Sequence, residues 1–201
     1  MTEALLVLLA AYLIGSLSFA VILSRAFDLP DPRGYGSGNP GATNVLRSGR
    51  KAVAVLTLLG DALKGVVAVL LARWATQHYG LPDSLPAMAG VAAIAGHLYP
   101  VFFGFKGGKG VATALGILLG LNPWLGLAGA ATWLVMFAVS RISSLSALSA
   151  ALLSPLYAWL LGDDLVATAA IAGLAVLIFW RHRANIVRLL SGEEGGFKRR
   201  T

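Results

Sequence analysis

The chain has 201 residues, of which 57% are hydrophobic and only 12% charged, and its mean hydropathy is +0.77. That leaves too little polar surface to coat a water-soluble globule, so a bilayer must serve as its solvent. The absence of cysteine excludes disulfides, thiol nucleophiles and thiolate metal sites together.

In chain order, apolar runs lie near residues 4–24, 52–74, 86–103, 111–121, 123–140, 145–161 and 165–180. Several approach the roughly 20 residues that span a hydrocarbon core. They predict an all-α integral membrane protein, one domain over residues 1–201, built as a bundle of seven transmembrane helices. The short run at 111–121 reads as a half-helix, and 165–180 as a span continuing into the basic segment after it. The first run starts without a basic region and is long, so it is expected to remain as a helix rather than be cleaved. Small residues within the runs, such as Gly15, Ser16, Ser18, Gly126 and Gly129, suit close helix contact in lipid.

With seven helices threaded alternately, positive charge gathers on one side: Arg25, Arg33, Arg47, Arg50 and Lys51; Lys106 and Lys109; Arg141; then Arg181, Arg183, Arg188, Lys198, Arg199 and Arg200. Only Arg73 falls opposite. The positive-inside rule makes these loops cytoplasmic, with the N-terminus outside and the C-terminus inside. A topological signal with some anionic-lipid contact accounts for the net charge of +7 and for the basic tail, but not for the composition of the loops.

The segment from Arg25 to Lys51 holds Gly34, Gly36, Ser37, Gly38, Asn39, Pro40, Gly41, Thr43, Asn44 and Arg47, more than a connector needs. The second loop, residues 104–110, carries Lys106 and Lys109 among Gly104, Gly107, Gly108 and Gly110. The third contains Arg141, Ser143, Ser144 and Ser146, and the fourth is a helical extension from Arg181 to Arg188 that runs on into Glu193 and Glu194. The connections on the other face, near 75–85, 122 and 162–164, are chemically thin by comparison.

Glycine lets backbone N–H groups converge on an anion, and a glycine-rich turn entering a helix adds the helix dipole. Ser37, Asn39, Thr43 and Asn44 supply polar donors with Arg47 for a bidentate phosphate contact. The second loop is not a Walker A sequence, because Gly110 follows Lys109 and the glycine spacing is wrong, so an organophosphate is expected rather than a nucleoside triphosphate. His182 and Asn185 stand at i and i+3 on the expected extension and so share a face; the histidine there is a candidate base or donor, against the plainer role of an interfacial anchor. Asp61 and Lys64, inside an apolar run at i and i+3, are expected to pair with each other as a structural or site-supporting ion pair. His78 and Asp83 match the H-x4-D pattern of a different class of glycerolipid acyltransferase, but they lie on the wrong face with no basic cradle beside them. His97 reads as a buried, hydrogen-bonded residue.

Three stretches resemble a known family, the bacterial acyl-phosphate:glycerol-3-phosphate acyltransferases, also called the PlsY family: Gly36 to Asn44 with Arg47; Gly96 to Thr113; and Arg181 to Ile186 with Arg188, Leu189, Gly192 and Glu194. The resemblance implies a seven-helix enzyme of the bacterial inner membrane, with a periplasmic N-terminus, a cytoplasmic C-terminus and a cytoplasmic active site. It implies transfer of a fatty acyl group from acyl phosphate to the 1-hydroxyl of glycerol 3-phosphate, giving lysophosphatidic acid and inorganic phosphate, the first acylation of phospholipid synthesis. Carried over by position, Ser37, Arg47, Lys106, His182 and Asn185 are the expected catalytic residues. Gly38, Asn39, Gly41, Thr43, Asn44, Gly107, Gly108, Lys109, Gly110 and Ser143 are the expected substrate or phosphate contacts, and Glu194 is expected to be structural with Asp61 and Lys64. The expected partners are the two substrates, membrane lipid and the soluble enzyme that makes acyl phosphate; no cofactor, metal or nucleic acid is expected. Acyl phosphate is already an activated mixed anhydride, so direct transfer without an acyl-enzyme suffices. A transporter of organic phosphate is the main rival, but such proteins place their site near the midplane, often in symmetry-related broken helices, whereas here the polar groups cluster at one face.

Overall fold

The computed structural model describes residues 1–196; Lys198, Arg199 and Arg200 of the basic tail lie outside the described residues. Among the described residues every regular element is helical: α1 (Thr2–Gly15), α2 (Phe19–Ala26), α3 (Ala42–Leu46), α4 (Lys51–Tyr79), α5 (Leu85–Leu98), α6 (Val111–Leu121), α7 (Pro123–Ser140), α8 (Ser143–Leu160), α9 (Leu165–Arg181) and α10 (Arg183–Leu190), with one 3-10 turn at Val101–Phe103. Each apolar run of the sequence is thus helical. Four helices are individually long and apolar enough to cross a membrane; α1 with α2 and α9 with α10 form bent pairs at 44° and 64°. The 11 residues of α6 rise roughly 16 Å, about half the hydrocarbon thickness.

Two expectations about continuity need correction. The first run is not one straight helix: it breaks at Ser16–Ser18, where Ser16 returns its hydroxyl to the Tyr12 carbonyl and Lys64 Nζ takes the Leu17 carbonyl at 2.6 Å. The last span does not run straight on into the basic segment. It turns at His182, which ends α9 and starts α10 with φ −97° and ψ 7°.

The bundle is built around α4, which packs against α5 and α6, while α1 lies on α5, α7 on α8 and α8 on α9. Without a hydrophobic drive between helices in lipid, close backbone approach holds such pairs together. At the α4–α6 crossing a Cβ added at Gly116 would overlap the Ala62 carbonyl, and one at Gly65 the Thr113 carbonyl. The innermost apolar cluster, Val69, Ile94, Leu98, Ile117 and Ile178 with neighbours, joins α4, α5, α6 and α9. Leucines of α1 and α4, including Leu5, Leu9, Leu59 and Leu63, face outward, as expected where lipid is the solvent. This packing brings the α2–α4 connection, the 104–110 loop and the α9–α10 corner to one end.

Candidate active site

The connection before α3 is shaped by Asn44, which is only 1% exposed. Its Oδ1 accepts the Ser37 N–H at 3.0 Å, and its Nδ2 donates to the Pro32 and Tyr35 carbonyls at 2.7 and 3.0 Å. Both amide hydrogens are therefore spent inside the loop, and Asn44 presents Ser37 and Gly38 instead of reaching outward itself. The Arg33 guanidinium clasps Asp31, with Nη2–Oδ2 at 2.6 Å, and its Nη1 donates to the Phe103 carbonyl at 3.2 Å. That clasp ties the first loop to the second, and the hydrogen bond from Arg33 holds the Asp31 carboxyl below its ordinary range.

In the glycine loop, the Gly108 N–H is given to the His97 carbonyl at 3.2 Å. The Gly107 and Gly108 carbonyls accept from Arg181 Nη2 and Nε at 2.9 and 3.0 Å. A side chain at either glycine would overlap His97, so their smallness serves a close packing contact and the Gly108 N–H is not offered to a phosphate. Gly110, at φ +86°, delivers the chain into α6, whose first-turn N–H groups have no acceptor within their own helix. Beside the loop lies a cavity of about 350 Å³ lined by Arg33, Gly38, Pro40, Phe105, Lys106, Gly107 and Arg181. Its lining carries three cations and no carboxylate, the chemistry of an anion site.

A second basic cluster adjoins it. Lys109 Nζ donates to Asn185 Oδ1 at 2.6 Å, and Asn185 Nδ2 donates to Glu194 Oε1. Glu194 also accepts from Ser144 Oγ at 2.6 Å and Arg188 Nε at 2.7 Å. Thr43 and Ser143 hydroxyls lie 3.3 Å apart, joining α3 to the start of α8. Burial lowers the Lys109 pKa to about 8; Glu194 works against this, while the charges of Arg188, Arg181 and Arg47 add to it. Four basic residues from four segments thus converge at one place. Burial pushes the Glu194 carboxyl up, but hydrogen bonds from Ser144, Asn185 and Arg188 outweigh that and hold it below the ordinary range.

His182 is 3% exposed, and its Nδ1 meets the Ile178 carbonyl at 2.8 Å. A carbonyl only accepts, so the neutral ring carries its proton on Nδ1 and has its lone pair on Nε2. Asn185 is buried in the first turn of α10, with His182 at the corner that starts that helix. Asp61 and Lys64 do pair, at 2.9 Å. His78 lies at the far end of α4, stacked on Trp74. A cavity of about 300 Å³ at that end mixes Arg73 with Asp83, Asp163 and Asp164; Arg73 donates to the Leu121 carbonyl and Asp164 caps α9, so these two close helix ends.

A polytopic helical protein with a basic cavity and an adjoining basic cluster at one end is thereby defined. A profile of the family described as "Glycerol-3-phosphate acyltransferase" matches residues 5–192. The chain is 59% identical over 197 residues to the glycerol-3-phosphate acyltransferase of Thiobacillus denitrificans, covering 98% of each chain. It is 57% identical over 194 residues to that of Chromobacterium violaceum, covering 96% and 94%. The crystal structure of PlsY, an integral membrane glycerol 3-phosphate acyltransferase, in its glycerol 3-phosphate form superposes with a TM-score of 0.90 at 39% identity, covering 97% of this chain and 96% of that one. The lysophosphatidic acid form gives 0.88 at 38% identity, covering 97% and 95%. The chain belongs to the glycerol-3-phosphate acyltransferase family and is an integral membrane protein.

Arg33 and Arg181 are the charged residues of the cavity lining that sequence reasoning passed over, beside Pro40 and Phe105. Each looks like a topological charge; only the fold reveals that Arg33 joins the first loop to the Phe103 carbonyl and that Arg181 joins the end of α9 to the glycine loop through two carbonyls.

Proposed function

We propose that this chain transfers a fatty acyl group from acyl phosphate to the 1-hydroxyl of glycerol 3-phosphate, releasing lysophosphatidic acid and inorganic phosphate. The observation that carries this reading is the basic cavity lined by Arg33, Lys106 and Arg181, with Lys109 held against Asn185 beside it. Two phosphorylated substrates repel each other, and the protein must supply enough positive charge to hold both while aiming a hydroxyl at a carbonyl. The relatives' names and the two bound forms of PlsY support the acceptor and the product. The choice of acyl phosphate as donor rests on the family resemblance alone.

In this mechanism the glycerol hydroxyl oxygen attacks the carbonyl carbon, the bond to the phosphate oxygen breaks, and inorganic phosphate leaves. No acyl-enzyme forms. Ser37, Arg47, Lys106, His182 and Asn185 carry the chemistry; Gly38, Asn39, Gly41, Thr43, Lys109, Gly110 and Ser143 line the substrates. Asn44, Gly107, Gly108 and Glu194 hold that lining in place. The hydroxyl proton goes to His182 Nε2 or to a phosphate oxygen, and retained turnover in His182→Gln would assign it to phosphate. The enzyme works at the cytoplasmic face of a bacterial inner membrane with seven helices, N-terminus periplasmic and C-terminus cytoplasmic, where the soluble maker of acyl phosphate delivers its product.

The test is acyl transfer to glycerol 3-phosphate by purified protein in lipidic mesophase, with acyl phosphate, acyl-CoA and acyl-carrier protein offered separately and no metal added. Product with acyl phosphate alone is expected, and Arg47→Ala and Lys106→Ala should lower kcat/KM by roughly 10²-fold or more while His78→Ala leaves it unchanged. Turnover with a thioester donor alone would overturn the donor assignment.

A further inference from the structure

Asp61, Lys64 and His97 form a buried polar cluster that this chemistry does not touch. Charged groups inside a span are tolerated when paired. Lys64 meets Asp61 at 2.9 Å and also takes the carbonyl of Leu17 at the α1–α2 break, a backbone group with no helical partner at membrane depth. That accounts for Lys64 and its counter-ion, but not for the histidine. The His97 ring stands with Nδ1 3.8 Å from the same Asp61 oxygen and 3.2 Å from Thr113 Oγ1 in the first turn of α6. Its opposite edge faces the glycine loop, where a Cβ at Gly108 would overlap Nε2 and one at Gly107 would overlap the His97 carbonyl. That carbonyl also accepts the Gly108 N–H. One residue therefore touches the loop with both ring and backbone, and its ring is backed by α4 and α6.

We propose that His97 is a positioning residue for phosphate binding. It seats the Gly107–Gly108 turn and thereby aims Lys106, Lys109 and the start of α6, with Asp61 and Thr113 orienting its ring. The inference rests on the acyl-transfer reading for its consequence, and on geometry for its cause. Leucine fills much of the same volume without ring nitrogens, and asparagine places a polar atom near the position of Nδ1. Small misplacements of a phosphate cradle are costly, because binding groups act only when correctly aimed.

Wild type, His97→Leu, His97→Asn and Thr113→Val would be compared for KM and kcat with glycerol 3-phosphate, for the calorimetric Kd of inorganic phosphate, and for melting temperature. His97→Leu should raise KM and the phosphate Kd by roughly tenfold with a smaller effect on kcat. His97→Asn should recover most of the loss, and Thr113→Val should move both constants in the same direction by less. Unchanged KM and Kd in folded His97→Leu, or a loss confined to kcat or to melting temperature, overturns the proposal. If His97→Leu does not fold, Thr113→Val decides on the same two constants. A wild type that binds phosphate but transfers no acyl group would sink the acyl-transfer reading instead, and the phosphate Kd would still decide the role of His97.

Discussion

Lys109 is the residue whose setting most directly links charge to function. Its ammonium bonds Asn185, and burial together with three arginines outweighs Glu194 to bring its pKa to about 8. The charged form that a phosphate needs is therefore present below about pH 8 and lost above it. A bound phosphate favours the ammonium and raises this pKa again, so binding near pH 8 should take up a proton. KM for glycerol 3-phosphate is expected to climb between pH 7 and 9, and calorimetry in buffers of different ionisation enthalpy should register the uptake. Lys109→Arg, charged throughout that range, should flatten the profile; an equally steep profile in that variant would place the titrating group elsewhere.

At the scale of elements, α10 is tied to the start of α8 by Glu194, which gathers Ser144 of α8 with Asn185 and Arg188 of α10. Three donors, one of them charged, lose their acceptor in Glu194→Ala. A hydrogen bond to a charged group contributes about 1.5–3 kcal/mol, so the variant should melt earlier by about that much stability. It should also lose kcat/KM, because Asn185 is no longer oriented toward Lys109. Since the Glu194 carboxyl is held below its ordinary range, this stabilisation is present above the usual carboxylate pKa and fades as pH falls through the lowered one. A Glu194→Ala protein as stable as wild type at pH 7 would show that the clasp is redundant.

For the whole molecule, placing every basic loop at one end makes a directional prediction. The chain has no cysteine, so single cysteines report cleanly. Ser191→Cys, exposed beside the site, should react with a membrane-impermeant maleimide only in inverted vesicles. Gln77→Cys, exposed at the far end of α4, should react in intact spheroplasts. The reverse pattern would turn the protein over in the membrane and put the proposed site on the outer face.

Much of this was determined by sequence alone, because bilayer physics acts on local composition. Long apolar runs in lipid satisfy their backbone as helices, and Gly-rich loops carrying Arg47, Lys106 and Lys109 raise the expectation of an anion site without reference to any distant residue. The Asp61–Lys64 pair was legible for the same reason, since i and i+3 on one helix are neighbours before any tertiary structure exists. Tertiary structure alone decided whatever depends on a partner far along the chain. Asn44 turned inward because Pro32 and Tyr35 carbonyls needed donors. Gly108 proved to be a packing glycine because His97 fills the space beside it, and Arg181 left the class of topological charges because two loop carbonyls faced it. The helix breaks at Leu17 and His182 belong to the same class: a freed carbonyl in lipid must find a donor, and only the folded bundle specifies which side chain arrives there.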